Sequence, residues 1–147
     1  MAQKTTSNGL DHSPLHLLRR AVQRAEEQFQ LATGKSGLTP SQYFILLTIK
    51  NAEGLNQKQI VEMTGVDRST MTGSIRRLQK KGFIKRRKKP DDHRAYEIRL
   101  TDEGRKILEL NTPLARQFDQ RLLATLSAPK RELFLQSLHE IIEVLSR

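Results

Sequence analysis

The sequence predicts a mainly α-helical chain with one small β-hairpin, and three observations carry that reading. Apolar residues recur at steps of three and four through most of the chain, which is the spacing of a helix face. Five segments open on a residue that caps helices: Ser13, Thr39, Asn56, Asp67 and Thr101. One stretch, Phe83 to Leu100, instead carries two short runs around a Pro-Asp-Asp turn. At 147 residues the chain suits one domain, or one small domain with helical arms. It is long enough for a hydrophobic core without disulfides.

Residues 1–12 are polar and include Asn8-Gly9, so a disordered tail is expected. Ser13-Pro14 opens the first helix, a cap residue followed by Pro at the first helical position. Along it Leu15, Leu18, Val22, Ala25, Phe29 and Ala32 form a heptad-like stripe, ending near Thr33-Gly34. The stripe suits burial against the chain's own core or against a second copy. Thr39-Pro40-Ser41-Gln42 is a capping box for a helix from Ser41 to about Asn51. That helix carries Tyr43, Phe44, Leu46, Leu47 and Ile49 and stops at Gly54. Asn56 and Gln59 frame a short helix, Gln57 to Thr64, with Ile60, Val61 and Met63 as its apolar side. Gly65 suits a left-handed stop, and Asp67 caps the next helix, Arg68 to Lys81. Two helices around a tight Gly65-Val66 turn, the second long and basic, make a helix-turn-helix pattern.

Phe83 to Arg87 reads as a strand and Lys88 to Arg94 as a charged turn. Ala95 to Leu100 reads as a second strand, with Tyr96, Ile98 and Leu100 on one side. The two strands form a wing. Thr101 caps a long helix whose Asp102 and Glu103 complement the helix dipole. Its apolar residues continue at Ile107, Leu110, Leu114, Phe118, Leu122 and Leu126, and Pro113 is expected to kink or split it. Ser127-Ala128-Pro129 marks another break. A last helix, Lys130 to about Leu145, is expected to bury Leu133, Phe134, Leu138, Ile141, Ile142 and Leu145. Long apolar helices at both ends of a small central module suggest an intertwined dimer. A monomeric helical bundle is the plainer alternative.

The net charge of +10 points to a polyanionic partner, nucleic acid or an anionic membrane. Of the 26 Lys and Arg, 12 lie between Arg68 and Arg99, opposed there only by Asp91, Asp92 and Glu97. That block sits on the basic helix and the wing without Trp or Phe anchors, which disfavours a membrane surface. The absence of cysteine excludes a disulfide framework, a thiolate nucleophile and a thiol redox switch. No apolar run approaches the ~20 residues of a membrane span. The N-terminus has no apolar signal core, so the cytoplasm is the expected compartment. No nucleophile-and-base pair or phosphate-cradling glycine loop stands out, so an enzyme is not expected. His12, His16, His93 and His139 have no short ligand spacing, so neither a metal site nor a cofactor is expected.

Six pieces occur in order at a specific spacing. They are Leu38-Thr39-Pro40-Ser41-Gln42-Tyr43, the short helix Gln57 to Thr64, and Arg68-Ser69-Thr70-Met71-Thr72 leading to Ile75-Arg76-Arg77-Leu78. Lys81-Gly82-Phe83-Ile84-Lys85-Arg86, Asp92-His93-Arg94 and Leu100-Thr101-Asp102-Glu103-Gly104 follow. Over roughly residues 36–126 this set resembles the MarR family of bacterial winged-helix regulators. The resemblance implies a winged helix-turn-helix core flanked by N- and C-terminal dimerisation helices. It implies a homodimer on a pseudo-palindromic operator, mostly a repressor, released in many members by a small aromatic or anionic ligand. The chain then divides into the tail, 1–12, a dimerisation region, 13–35 and 105–147, and a DNA-binding domain, 36–104. Lack of cysteine sets it apart from the family's thiol-based peroxide sensors.

A helix of this length fits the major groove, with its N-terminal half toward base edges. Arg68, Ser69, Thr70, Thr72 and Arg76 are the candidate contacts, with Arg77 beside them. Residues 69, 72, 73 and 76 share one face. Gly73 there suits close approach of backbone to DNA or, equally, packing against another helix. Arg76 suits a guanine or a phosphate. Ser69 and Thr70 are also ordinary helix-capping types. Arg94, at the wing tip, is expected in the minor groove, with Asp92 pairing with it or bracing the wing. The plainer reading of that pair is an exposed salt bridge. Lys85 to Lys89, with Lys85, Arg87 and Lys89 foremost, are expected to meet phosphates, several of the five being simply solvated.

The family places small molecules between the reader and the dimerisation helices. The resemblance therefore points to His16, Arg19, Arg20, Gln23, Tyr43, Phe44 and Leu47. An arginine with a histidine and aromatic walls suits an aromatic carboxylate or a bulkier anion such as an acyl-coenzyme A thioester. Solvated arginines and core aromatics are the plainer reading. The competing function is a winged helix that binds RNA or protein without small-molecule gating.

Overall fold

A computed structural model describes residues 9–147; residues 1–8, most of the expected tail, lie outside that range. Leu10–His12 form one exposed turn of 3-10 helix where a structureless tail was expected. Six α-helices and one hairpin follow: α1 Pro14–Thr33, α2 Pro40–Asn51, α3 Gln57–Thr64, α4 Arg68–Lys80, β1 Ile84–Lys88, β2 Tyr96–Leu100, α5 Asp102–Ala124 and α6 Ala128–Leu145. Each of the five expected N-caps accepts a backbone N–H from the residue three positions on. At Thr39 and Asn56 the reciprocal glutamine bond completes a capping box.

The core lies in the middle of the chain. Ile45 and Leu46 of α2, Ile60 of α3, Met71 and Leu78 of α4 and Leu108 of α5 are sealed from solvent. Met63, expected on the apolar side of α3, is instead 59% exposed, because the eight-residue helix seals only Ile60. From α1 the plug is Phe29, its ring 5.6 Å from both Tyr43 and Phe118.

β1 and β2 pair antiparallel, from Ile84 opposite Leu100 to Lys88 opposite Tyr96. The far edge of β2 is fastened too, since Ile98 N–H donates to the Leu55 carbonyl at 2.8 Å. The base of the wing is closed by α5. Thr101 N–H donates to the Phe83 carbonyl at 3.0 Å, and a Cβ at Gly104 would lie only 2.0 Å from that same oxygen. Position 104 therefore needs glycine for space, although it lies within a helix.

Three expectations about the long helices are corrected. The buried face of α5 is Gly104, Leu108, Asn111, Ala115 and Phe118, so of the expected stripe only Phe118 is buried and Leu110 is 69% exposed. Asn111 hides that face in the sequence, because a polar residue interrupts the apolar pattern. Its amide donates to the Ile107 carbonyl at 2.7 Å, and its Oδ1 lies 2.6 Å from Ser36 Oγ in the α1–α2 connection. Second, Pro113 does not split the helix, which runs unbroken from Asp102 to Ala124. Pro113 and Glu109, whose carbonyl Pro113 cannot serve, are both exposed. Third, no residue of α6 is buried within this chain: Leu133, Ile141, Ile142 and Leu145 all face outward. The α1 stripe divides at Ala25, with Leu15, Leu18 and Val22 exposed and Phe29 buried.

Candidate nucleic-acid interface

The helix-turn-helix is made by one glycine and one aspartate. Gly65 leaves α3 at φ +68°, a left-handed conformation that costs glycine little. The sharp exit puts Asp67 at the start of α4, where its Oδ1 accepts from Thr70 N at 2.9 Å. The Thr70 hydroxyl and then its amide hold the Asp67 carboxyl below the ordinary carboxylate range. The cap is thus Asp67, Thr70 is tied to it, and Ser69 stands exposed.

Met71, Ser74, Ile75 and Leu78 seal the inner face of α4. Arg68, Ser69, Thr72 and Arg76 are exposed on its outer side, with half-buried Gly73 among them. A Cβ at Gly73 would meet the Arg77 guanidinium at 3.4 Å as its nearest neighbour and no other helix. The helix-packing reading of Gly73 therefore has no partner among the described residues, and the Arg77 guanidinium is what lies over it.

At the wing tip Asp92 braces the turn: its Oδ1 accepts from the Arg94 backbone N–H at 3.0 Å. No ion pair joins their side chains among the described residues, so the Arg94 guanidinium is carried on a braced turn and exposed. Lys85 is exposed and Lys89 half-buried. Arg87, its side chain 47% exposed, is also tied within the wing. Its Nε donates to Glu97 Oε1 at 2.8 Å, and Arg99 Nε donates to the same oxygen at 2.8 Å. Glu97 is 3% exposed, and the Arg99 hydrogen bond, aided by Arg87 against the effect of burial, holds its carboxyl below the ordinary range. Arg87 is therefore anchored internally, as a strut of the wing.

Sequence reasoning passed over one group here, Gln57, and did not give Arg86 its partner. Arg86, one position along the strand from Arg87, points to the other face, and its guanidinium donates to Gln57 Oε1 at 3.0 Å. Gln57 Nε2 in turn donates to Thr72 Oγ1 at 3.2 Å. One amide thus joins wing, α3 and α4 across the outer surface. Strand alternation offered a signal for Arg86, whereas nothing local marks Gln57.

The residues considered for a small ligand are not gathered into one closed cavity. Tyr43 is buried against Phe29, Phe44 is 48% exposed, and Leu47 and His16 are half-buried. Arg19 and Gln23 line an open hollow with Leu18, Val22 and Glu26, and Arg20 is exposed. A larger apolar groove, about 890 Å³, runs between α1, α5 and α6, with Leu18, Val22, Leu122, Phe134, Leu138 and Ile141 in its walls. Asp119 also lines it, and burial pushes that carboxyl up. Among the described residues no group of His, Asp and Glu is arranged to hold a metal ion, and no helix is long and apolar enough to cross a membrane.

Comparisons with known proteins agree on one kind of molecule. The MarR family model matches residues 38–96, from the start of α2 to the wing. The chain is 30% identical to the HTH-type transcriptional repressor NicR of Pseudomonas putida over 152 aligned residues, 97% of this chain and 96% of that protein. A solved structure of the transcriptional repressor CouR bound to a 23-mer DNA duplex superposes with a TM-score of 0.83 at 28% identity, covering 95% of this chain and 99% of that one. BpsR of Bordetella bronchiseptica, whose DNA binding is regulated by 6-hydroxynicotinic acid, superposes with a TM-score of 0.82 at 28% identity, covering 95% and 97%. CouR has also been solved bound to p-coumaroyl-CoA.

Proposed function

The chain belongs to the MarR family of winged-helix transcriptional regulators, and on that premise we propose how it works. It is a cytoplasmic repressor that binds a pseudo-palindromic operator as a homodimer and leaves it when a small aromatic anion binds. The observation that supports DNA reading most directly is the shared outer surface of α4 and the wing. Arg68, Ser69, Thr72, Arg76 and Arg94 are exposed there on elements locked to the core from behind. Arg77, Lys85 and Lys89 supply phosphate contacts, and Gly73 admits the duplex closely once the flexible Arg77 side chain above it turns to a phosphate. Asp92 and Arg87 support the wing from within.

The dimerisation region is residues 13–35 with 105–147, where apolar side chains of α1 and α6 remain uncovered by their own chain. The effector is an aromatic carboxylate or an aryl-coenzyme A thioester, the two chemistries carried by the ligands of BpsR and CouR. His16, Arg19, Arg20, Gln23, Tyr43, Phe44 and Leu47 are the residues to test for it. A second chain would wall in the hollow that this chain leaves open.

The test is fluorescence anisotropy on a labelled duplex from upstream of the protein's own gene, at fixed salt. Aromatic acids, hydroxylated aromatic acids and their coenzyme A thioesters are added in turn. Tight binding reversed by one compound is the expected result. Tight binding that none of them reverses would remove the proposed effector class. Equal affinity for unrelated duplexes would remove the operator.

A further inference from the structure

The Thr72 hydroxyl is already engaged twice within the protein. It donates its one hydrogen to the Arg68 carbonyl at 2.9 Å and accepts from Gln57 Nε2 at 3.2 Å. A hydroxyl has one donor and two acceptor sites, so a single lone pair is left. Both bonds hold Oγ1 back along α4 and toward α3. Besides a hydrogen, the remaining substituent on Cβ is the methyl group, and Thr72 is exposed on the outer side of α4. Gln57 itself does not swing freely, because its other amide atom accepts from the Arg86 guanidinium at 3.0 Å. The rotamer of Thr72 is therefore set from two sides, by its own helix and by a strut that ends on the wing.

We infer that Thr72 reads DNA through its methyl group, as an apolar contact to the C5-methyl of a thymine, with Gln57 as the residue that positions it. This rests on α4 entering the major groove, as proposed above. There each T·A pair displays a methyl that no other pair displays, and a threonine methyl is a suitable partner for it. Polar threonine thus serves as a small hydrophobe at this position. The same bracket makes the contact sensitive to the wing, because shifting Arg86 releases the Gln57 amide that fixes the rotamer.

The experiment starts with selection of a tight duplex from a random pool by the full-length protein. Each thymine of the selected half-site is then replaced singly by deoxyuridine, which deletes only the methyl. At one position per half-site the wild type is expected to lose affinity about fourfold, the value of one methyl withdrawn from an apolar contact. Thr72→Val keeps the methyl and drops the hydroxyl, so it should keep that penalty. Thr72→Ser keeps the hydroxyl and drops the methyl, so it should bind more weakly and lose the penalty. Gln57→Ala should shrink the penalty at that position while the protein still melts in one cooperative transition.

Thr72→Ser showing the full deoxyuridine penalty, or Thr72→Val losing binding that Thr72→Ser retains, would overturn the assignment. A selected duplex indifferent to every thymine methyl would overturn it alone and leave the DNA reader standing. Failure of the selection to enrich any sequence would overturn the reader, and this inference with it.

Discussion

The middle of the chain and its two ends handle apolar residues in opposite ways. From α2 to β2 most are sealed: Ile45, Leu46, Ile60, Met71 and Leu78 have essentially no exposed surface, while Phe44, Met63 and Tyr96 stand out singly. Along the first turns of α1 and all of α6 they are open, with Leu15 at 70% and Leu145 at 80% exposure. Isolated exposed leucines are ordinary, but contiguous faces of this kind mark surfaces that another molecule covers. The difference shows that the reader carries its own core, while the arms hold half of one.

The largest expected effect comes from removing an arm. Deleting Lys130–Arg147 should convert a dimer to monomers or aggregates, read by light scattering after gel filtration. A dimer surviving that deletion would mean the arms are not the interface. The next largest sits inside the sealed region. Gly104→Ala gains roughly 1 kcal/mol of helix propensity but drives a Cβ into the Phe83 carbonyl. Overpacking of this kind costs about 1–3 kcal/mol or more, and backbone cannot step aside as a side chain can. A net loss of about 2 kcal/mol in chemical denaturation is expected, and unchanged stability would mean that the wing base is loose.

Arg94→Ala probes the one long cation that the sealed region holds out on a braced turn. Operator affinity should fall by about 1–3 kcal/mol with the melting temperature unchanged. Equal binding by wild type and variant would take the wing tip out of the interface. The smallest effect is one of pH. Because Arg99 and Arg87 depress the Glu97 carboxyl, its stabilising contribution is complete above the unfolded-chain value of about 4.3 and is lost as pH falls through the lower folded value. The stability gap between wild type and Glu97→Gln should therefore be constant near neutrality and narrow in acid. Melting curves between pH 7 and strongly acidic buffer test this, and a gap indifferent to pH would show that the carboxylate charge is not what the arginines hold.

What was legible in the sequence follows the same division. Caps, turns and the wing are set by residues within four positions of one another, so Ser13, Thr39, Asn56, Asp67 and Thr101 could be read directly. The features that were missed depend on chain segments far apart. Alternation put Glu97 on the open side of β2, yet arginines on both strands enclose it and the turn at Gly54 lies against its other oxygen. Asn111 looked like a gap in the α5 stripe because its partner, Ser36, is 75 residues away. Gly104 owes its identity to the Phe83 carbonyl, 21 positions back in the chain. For α6 the pattern correctly gave an apolar helix, but burial within the chain did not follow, since the amphipathic signal does not say whose core is met.

Ser36 and Asn111 also set the mechanics of the molecule. They bolt the bend between α1 and α2 to the middle of α5, a 23-residue rod about 35 Å long. A rod held at such a joint acts as a lever. Tilting it by about 5° around that joint carries its two ends roughly 1–2 Å in opposite directions. In a dimer of two such chains, a few degrees at each joint would shift one reader against the other while the hydrogen bonds within each stay made.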